Sequence, residues 1–84
     1  MKDIQFRIVQ VLSYSKLNTR SFSNRIEVSY ATIYGCVNFT RPANLEIIQK
    51  ICYHFPEIDE RWLLLGEGEM ISSKTLATLK KSGQ

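Results

Sequence analysis

Side chains suited to acid–base or metal chemistry are few in this chain. The sequence has one histidine, His54, and two cysteines, Cys36 and Cys52, which stand sixteen residues apart and form no CxxC pair. A hydrolytic triad needs a histidine with an orienting carboxylate, and a structural zinc site needs four clustered ligands. The spacing fits neither, and there is no glycine-rich phosphate loop. We therefore expect no enzymatic activity, no cofactor and no metal, with both thiols in the core.

The chemistry that the sequence favours is electrostatic. The net charge is +3, and the charges are unevenly distributed. Residues 4–56 hold two acidic and six basic residues, whereas residues 57–84 hold five acidic and four basic ones. The six basic residues are Arg7, Lys16, Arg20, Arg25, Arg41 and Lys50. Any one such charge is often only solvated, but together they indicate a half of the chain that could face a polyanion.

Length and hydropathy bound the fold that must position these charges. With 84 residues, of which 44% are hydrophobic, the chain can form one modest core and hence one domain. The first residues, MKDIQFRIVQVLSYSK, contain neither a long apolar run nor a small-residue cleavage site. The pattern predicts no signal peptide and no membrane span, and we expect a cytoplasmic protein.

Apolar spacings of three and four, with only two prolines and four glycines, predict an all-α domain. Polar residues able to cap a helix stand before several apolar segments. Five helices are expected: over residues 3–14, after caps at Asn18, Ser29 and Asn44, and from Asp59 to Gly66. The fourth should end at Pro56 and bury Leu45, Ile48, Ile51, Cys52 and Phe55. The fifth should bury Trp62 and Leu65 or their neighbours.

The segment FSNRIEVSYATIY, residues 22–34, breaks one helix and starts another at once. A turn at Glu27 and Val28 would set the second helix at roughly 90–120° to the first, which is a helix-turn-helix arrangement. Its core would use Phe22, Ile26, Val28, Ile33 and Cys36. The outer side of the third helix would then project from the domain.

Together with NLEIIQKICYHFPEIDERW and WLLLGEGEM, this segment resembles the phage repressor and Cro class of DNA-binding proteins, the XRE family. The resemblance covers residues 3–70. It implies a five-helix, lambda-repressor-like domain over residues 1–70, with helix-turn-helix at helices 2 and 3 and a polar tail over residues 71–84, where Leu76 and Leu79 have weak helical spacing. The sequence departs from the family pattern at Ser23, usually Ala, and at Glu27 and Phe39, usually Gly. Because the family's Gly at the turn has positive φ, we expect strain at Glu27.

The resemblance also implies which residues contact DNA, since the third helix of such proteins enters the major groove. The base contacts carried over are Ser29, Tyr30, Ala31, Thr32, Tyr34 and Asn38. The phosphate contacts are Thr19, Arg20, Thr40 and Arg41, with Lys16 or Arg25 further out. Without the motif, SYATIY would be an ordinary exposed helix face.

The function implied is that of a sequence-specific transcriptional regulator of the repressor type. It would bind a double-stranded DNA operator as a homodimer, with part of the LLL segment after Trp62 or the tail contacting the second copy. A regulatory protein partner is a further possibility. The alternative is a protein-interaction module, antitoxin-like or bound by an antirepressor, whose helix-turn-helix is partly degenerate; the departures at Glu27 and Phe39 and the lack of strong base readers favour it.

Overall fold

The computed structural model describes residues 2–72, and this part of the chain is all-helical, as predicted. Its helices are α1 (Lys2–Ser15), α2 (Thr19–Ile26), α3 (Tyr30–Val37), α4 (Leu45–His54) and α5 (Glu60–Leu65). The only β-type pairing within these residues is one isolated antiparallel bridge between Ile58 and Ile71. No helix in this range is long and apolar enough to cross a membrane.

Polar side chains begin four of the helices at the predicted positions. The side-chain oxygens of Asn18, Ser29 and Asn44 each accept a hydrogen bond from the backbone N–H three residues later. Asp59 Oδ1 accepts from the N–H groups of Arg61 and Trp62, at 2.8 and 3.3 Å. Each contact satisfies an amide that the helix leaves free, and so the boundaries were predictable from local sequence.

The core lies between all five helices. Its fully buried side chains are Ile8, Val11, Phe22, Ser23, Ile26, Ile33, Cys36, Ile47, Ile51 and Leu63. Phe22 stacks on Phe55 with 5.8 Å between ring centroids, joining α2 to the end of α4. The predicted core of the α2–α3 pair is confirmed for four residues, whereas Val28 is half-buried.

The predicted burial of Leu45 is wrong, and the burial predicted on α5 for Trp62 and Leu65 or their neighbours is met by the neighbour Leu63. Leu45 is 63% exposed, because as the first residue of α4 it lies at the helix end, while Ile47 faces the core. Leu65 is also 63% exposed, because α5 ends there and the chain reverses at Gly66, whose φ is +75°. Leu63 provides the buried contact of α5, and Trp62 and Cys52 are half-buried.

The connection between α2 and α3 is short and strained. Glu27 has φ 63° and ψ 40°, which confirms the predicted left-handed turn residue. Its carboxylate Oε1 lies 3.6 Å from both Lys50 Nζ and His54 Nε2, which ties the turn to α4. Ser23 is fully buried next to the turn, and its hydroxyl donates to the Arg20 carbonyl oxygen at 2.8 Å. The hydroxyl of Ser23, which the family's usual Ala would lack, is therefore satisfied by a carbonyl oxygen of its own helix.

Contacts from both ends of the described chain hold α5. The guanidinium of Arg7 on α1 donates to the carbonyl oxygens of Leu63 and Leu64 at 2.9 and 3.1 Å. Further along, Ser72 N–H donates to the Glu57 carbonyl oxygen at 2.9 Å, next to the Ile58–Ile71 bridge. The first two residues of the predicted tail thus pair with the segment before α5. The helical spacing predicted at Leu76 and Leu79 lies outside the described residues.

Candidate nucleic-acid interface

The outer face of α3 contains a pair of tyrosines one helical turn apart. Tyr34 is 51% exposed, and Tyr30 is half-buried. Their ring centroids are 5.6 Å apart, with a tilt of 34° between the planes. Ala31 and Asn38 are exposed beside them. Five of the six predicted base contacts therefore share this face or its N-terminal edge, with Thr32 half-buried behind them.

Several polar atoms on this face are already used by the helix. Ser29 Oγ accepts from Thr32 N–H at 3.2 Å and lies 2.8 Å from Thr32 Oγ1. Asn38 Nδ2 donates to the Tyr34 carbonyl oxygen at 2.8 Å. The hydroxyls of Ser29 and Thr32 thus serve the N-cap, and the amide donor of Asn38 serves the helix end. The hydroxyls of Tyr30 and Tyr34 make no hydrogen bond within residues 2–72, and the methyl group of Ala31 has no polar atom.

At the start of α2, Arg20 reaches across to α3. Its guanidinium carbon lies 4.3 Å from the centroid of the Tyr30 ring. Thr19, the first residue of α2, is half-buried, whereas Arg20 is exposed. The structure therefore brings a predicted phosphate contact and a predicted base contact into direct contact with each other.

The loop after α3 places the other predicted phosphate contacts near the opposite end of that helix. The N–H groups of Thr40 and Arg41 both donate to the Gly35 carbonyl oxygen, at 2.9 and 3.1 Å, and the Thr40 hydroxyl does so at 3.2 Å. The carbonyl oxygen of Arg41 accepts a hydrogen bond from the side-chain amide of Gln5, which is buried. Phe39 has φ 63°, so this loop too contains a left-handed residue that is not glycine. These hydrogen bonds hold the backbone of the loop in place, while Arg41 is exposed.

Gly35 is a residue of this site that the sequence analysis did not select. A Cβ at this position would lie 2.8 Å from both Cγ and Cδ of Arg41. The absence of a side chain at Gly35 therefore lets the Arg41 stem cross the end of α3. A glycine inside a short helix is unfavourable, and that was the available signal in the sequence.

Among the described residues, Lys50 is the one basic residue of the six in residues 4–56 that has a carboxylate partner. Within residues 2–72, ion pairs join Lys50 to Glu27 and Arg61 to Glu67. Arg7 is bound to backbone carbonyls. No ion pair forms within that range at Lys16, Arg20, Arg25 or Arg41. Two of these, Arg20 and Arg41, flank the exposed face of α3.

Arg25 differs from these two in its surroundings. Its guanidinium carbon lies 5.1 Å from the centroid of the Phe55 ring, at the end of α4. Arg20 and Arg25 are therefore each seated on an aromatic ring, but on different sides of α2. This leaves Arg25 outside the pair of cations that flank α3.

Both cysteines have thiols whose pKa is raised. Cys36 is fully buried, and burial raises the pKa of its thiol. The pKa of Cys52 is raised as well, first by burial and then by the charges of Glu60 and Asp59. Among the described residues, no three His, Cys, Asp or Glu side chains are grouped so that they could hold a metal ion.

No protein-family model matches the chain, and searches of curated proteins and of solved structures likewise returned no match.

Proposed function

We propose that the protein is a sequence-specific DNA-binding transcriptional regulator of the repressor type, with α2 and α3 acting as a helix-turn-helix. The observation that carries the proposal is the exposed face of α3, flanked by Arg20 and Arg41, neither of which has a carboxylate partner among the described residues. Cations left uncompensated near both ends of an exposed helix face suit the phosphates that border a major groove.

Base reading is assigned to Ala31 and Tyr34, two α3 residues whose side chains are exposed and form no hydrogen bond within residues 2–72. The Ala31 methyl suits contact with a thymine methyl, and the Tyr34 hydroxyl can donate to or accept from a base edge. Arg20 and Arg41 would bind phosphates and fix the orientation of α3, which carries no direct sequence information. Specificity and affinity would thus come from different residues.

A homodimer on an operator with two inverted half-sites is the assembly we propose. The support lies on α5, where Leu65 is 63% exposed and Trp62 is half-buried. Such a surface, placed on a helix other than α3, can contact a second copy while α3 contacts DNA. Half-sites would then lie about one helical turn apart.

A protein-interaction module is the second candidate function. It is favoured by the aromatic residues at the end of α3, because Tyr34 is 51% and Phe39 46% exposed. Exposed aromatic side chains are typical of protein interfaces. In this case the same face would contact a protein, and Arg20 and Arg41 would lie at its polar rim.

Binding of the pure protein to its own upstream DNA and to random duplex, at several salt concentrations, distinguishes the two. Arg41→Ala should weaken both kinds of binding equally and make the slope of log affinity against log salt shallower by about 0.9. Tyr34→Ala should weaken operator binding alone, by roughly 1–3 kcal/mol, with the slope unchanged.

Arg61→Ala is the matched control, because it removes the same charge from an exposed site on α5 that is paired with Glu67. It should leave both affinities nearly unchanged. Failure of the folded wild-type protein to bind either duplex would refute the DNA-binding function and favour the interaction module. Equal effects of Tyr34→Ala on operator and random duplex would show that α3 does not read bases.

A further inference from the structure

Tyr30 has contacts that a base-reading residue would have to give up. The guanidinium of Arg20 covers its ring at 4.3 Å, and the Tyr34 ring packs against it with centroids 5.6 Å apart. The side chain is half-buried, and its hydroxyl makes no hydrogen bond within residues 2–72. The ring, not the hydroxyl, therefore makes the contacts of this residue.

We propose that Tyr30 is a positioning residue that holds the Arg20 guanidinium for a DNA phosphate, and that it does not read a base; this rests on the proposed function. A guanidinium is planar, and its five N–H donors point outward in that plane. A guanidinium that lies over an aromatic ring can keep N–H donors pointing away from that ring. Arg20 can therefore contact the ring and a phosphate oxygen at the same time.

The benefit to binding is a smaller loss of side-chain freedom. A free arginine loses much rotamer entropy when it is fixed on a phosphate. Within residues 2–72 Arg20 has no carboxylate partner, so the Tyr30 ring is what restrains it in the free protein. Arg41 is restrained differently, through its backbone bonds to Gly35 and the passage of its stem over that residue.

Three variants separate the roles of the aromatic ring, the apolar bulk and the hydroxyl of Tyr30. Tyr30→Phe keeps the ring and removes the hydroxyl, whereas Tyr30→Leu keeps apolar bulk and a good helix former without an aromatic face. Arg20→Ala removes the cation itself. Thermal melts of each variant come first, and Leu is preferred to Ala at this half-buried position because it preserves folding.

Affinity for random duplex DNA is the decisive measurement, since it reports phosphate contacts without base reading. Tyr30→Phe should bind as the wild type does, and Tyr30→Leu should bind about two- to fivefold more weakly. In the Arg20→Ala background, Tyr30→Leu should have no additional effect, because the residue acts through Arg20. In the free protein, the Arg20 side-chain protons should show upfield ring-current shifts in NMR spectra that persist in Tyr30→Phe and vanish in Tyr30→Leu.

Two outcomes would overturn the role of Tyr30 while the proposed function stands. One is random-duplex binding by Tyr30→Leu equal to that of the wild type. The other is a selective loss of operator binding in Tyr30→Phe, which would make the hydroxyl a base reader. Absence of duplex binding by the wild-type protein would instead overturn the proposed function and, with it, the role of Tyr30.

Discussion

Replacement of Glu27 tests the strain in the turn between α2 and α3. With φ 63°, Glu27 is held in a left-handed conformation that is unfavourable by about 1 kcal/mol for a residue with a Cβ. Opposing this, its carboxylate lies 3.6 Å from Lys50 Nζ and His54 Nε2. Because the Glu27 side chain is 66% exposed, its ion pair with Lys50 contributes only about 0.2–1 kcal/mol. Glu27→Gly should therefore change stability by between about 0 and +1 kcal/mol.

Glu27→Gln separates the two contributions, because it removes the charge and keeps the Cβ. Gly should be more stable than Gln by about 1 kcal/mol, which corresponds to a difference of about 4–8 °C in melting temperature for a domain of this size. Thermal melts followed by circular dichroism at neutral pH measure this difference. In about 1 M salt, wild type and Glu27→Gln should become nearly equal, since the ion pair with Lys50 is screened. A Gly variant no more stable than the Gln variant would refute the strain argument.

Three further changes have expected outcomes. Arg7→Ala should lower the free energy of unfolding by about 1–3 kcal/mol in urea titrations, because two carbonyls at the end of α5 lose a charged donor; an effect below a few tenths would refute this capping role. Gly35→Ala should leave the melting temperature nearly unchanged, because a helix-propensity gain of about 1 kcal/mol offsets the cost of displacing the Arg41 stem. The same displacement should weaken duplex binding as Arg41→Ala does. For Cys36, a pKa raised by burial above the ordinary 9.0 means that the folded state holds the thiol proton more firmly, so stability is lost as pH rises through the folded pKa. Cys36→Ala should therefore lose less stability than wild type between about pH 8 and about pH 10 in the same urea titrations, and identical losses would refute the assignment.

The helices were predictable because their boundaries are local. Asn18, Ser29 and Asn44 each cap through an atom of their own side chain to a backbone amide three residues away. The exposure of Leu45 and Leu65 was not predictable in the same way, because both lie at helix ends. There the period of the helix no longer decides which side chain meets the core, and the path of the neighbouring loop does.

The candidate site was harder to predict, because its contacts join residues far apart in sequence. Composition and motif selected Arg20, Tyr30 and Arg41, but not the position of the Arg20 guanidinium over the Tyr30 ring or the passage of Arg41 over Gly35. The competition for the Ser29 hydroxyl was visible in advance, since a capping oxygen that serves its own helix is less free to read a base. Residue type thus indicated the face, and packing decides which atoms on it are free.

The numbers of unpaired cations and of proposed base-reading side chains predict the salt dependence of DNA binding and the preference for the operator over random duplex. Each phosphate contact makes the slope of log affinity against log salt more negative by about 0.9. The slope expected from Arg20 and Arg41 together is therefore about −1.8 per protomer and about −3.6 for a dimer. The residues proposed to read bases, Ala31 and Tyr34, include no side chain able to make the bidentate contacts that discriminate bases most strongly. A single half-site should therefore be preferred over random duplex by only about 1–3 kcal/mol, and two inverted half-sites by about twice that. Titration of duplexes with one, two or no half-sites, at salt concentrations that span the slope, measures both quantities. A single half-site bound as selectively as the full operator would refute the dimer, because the second protomer would then add nothing to recognition.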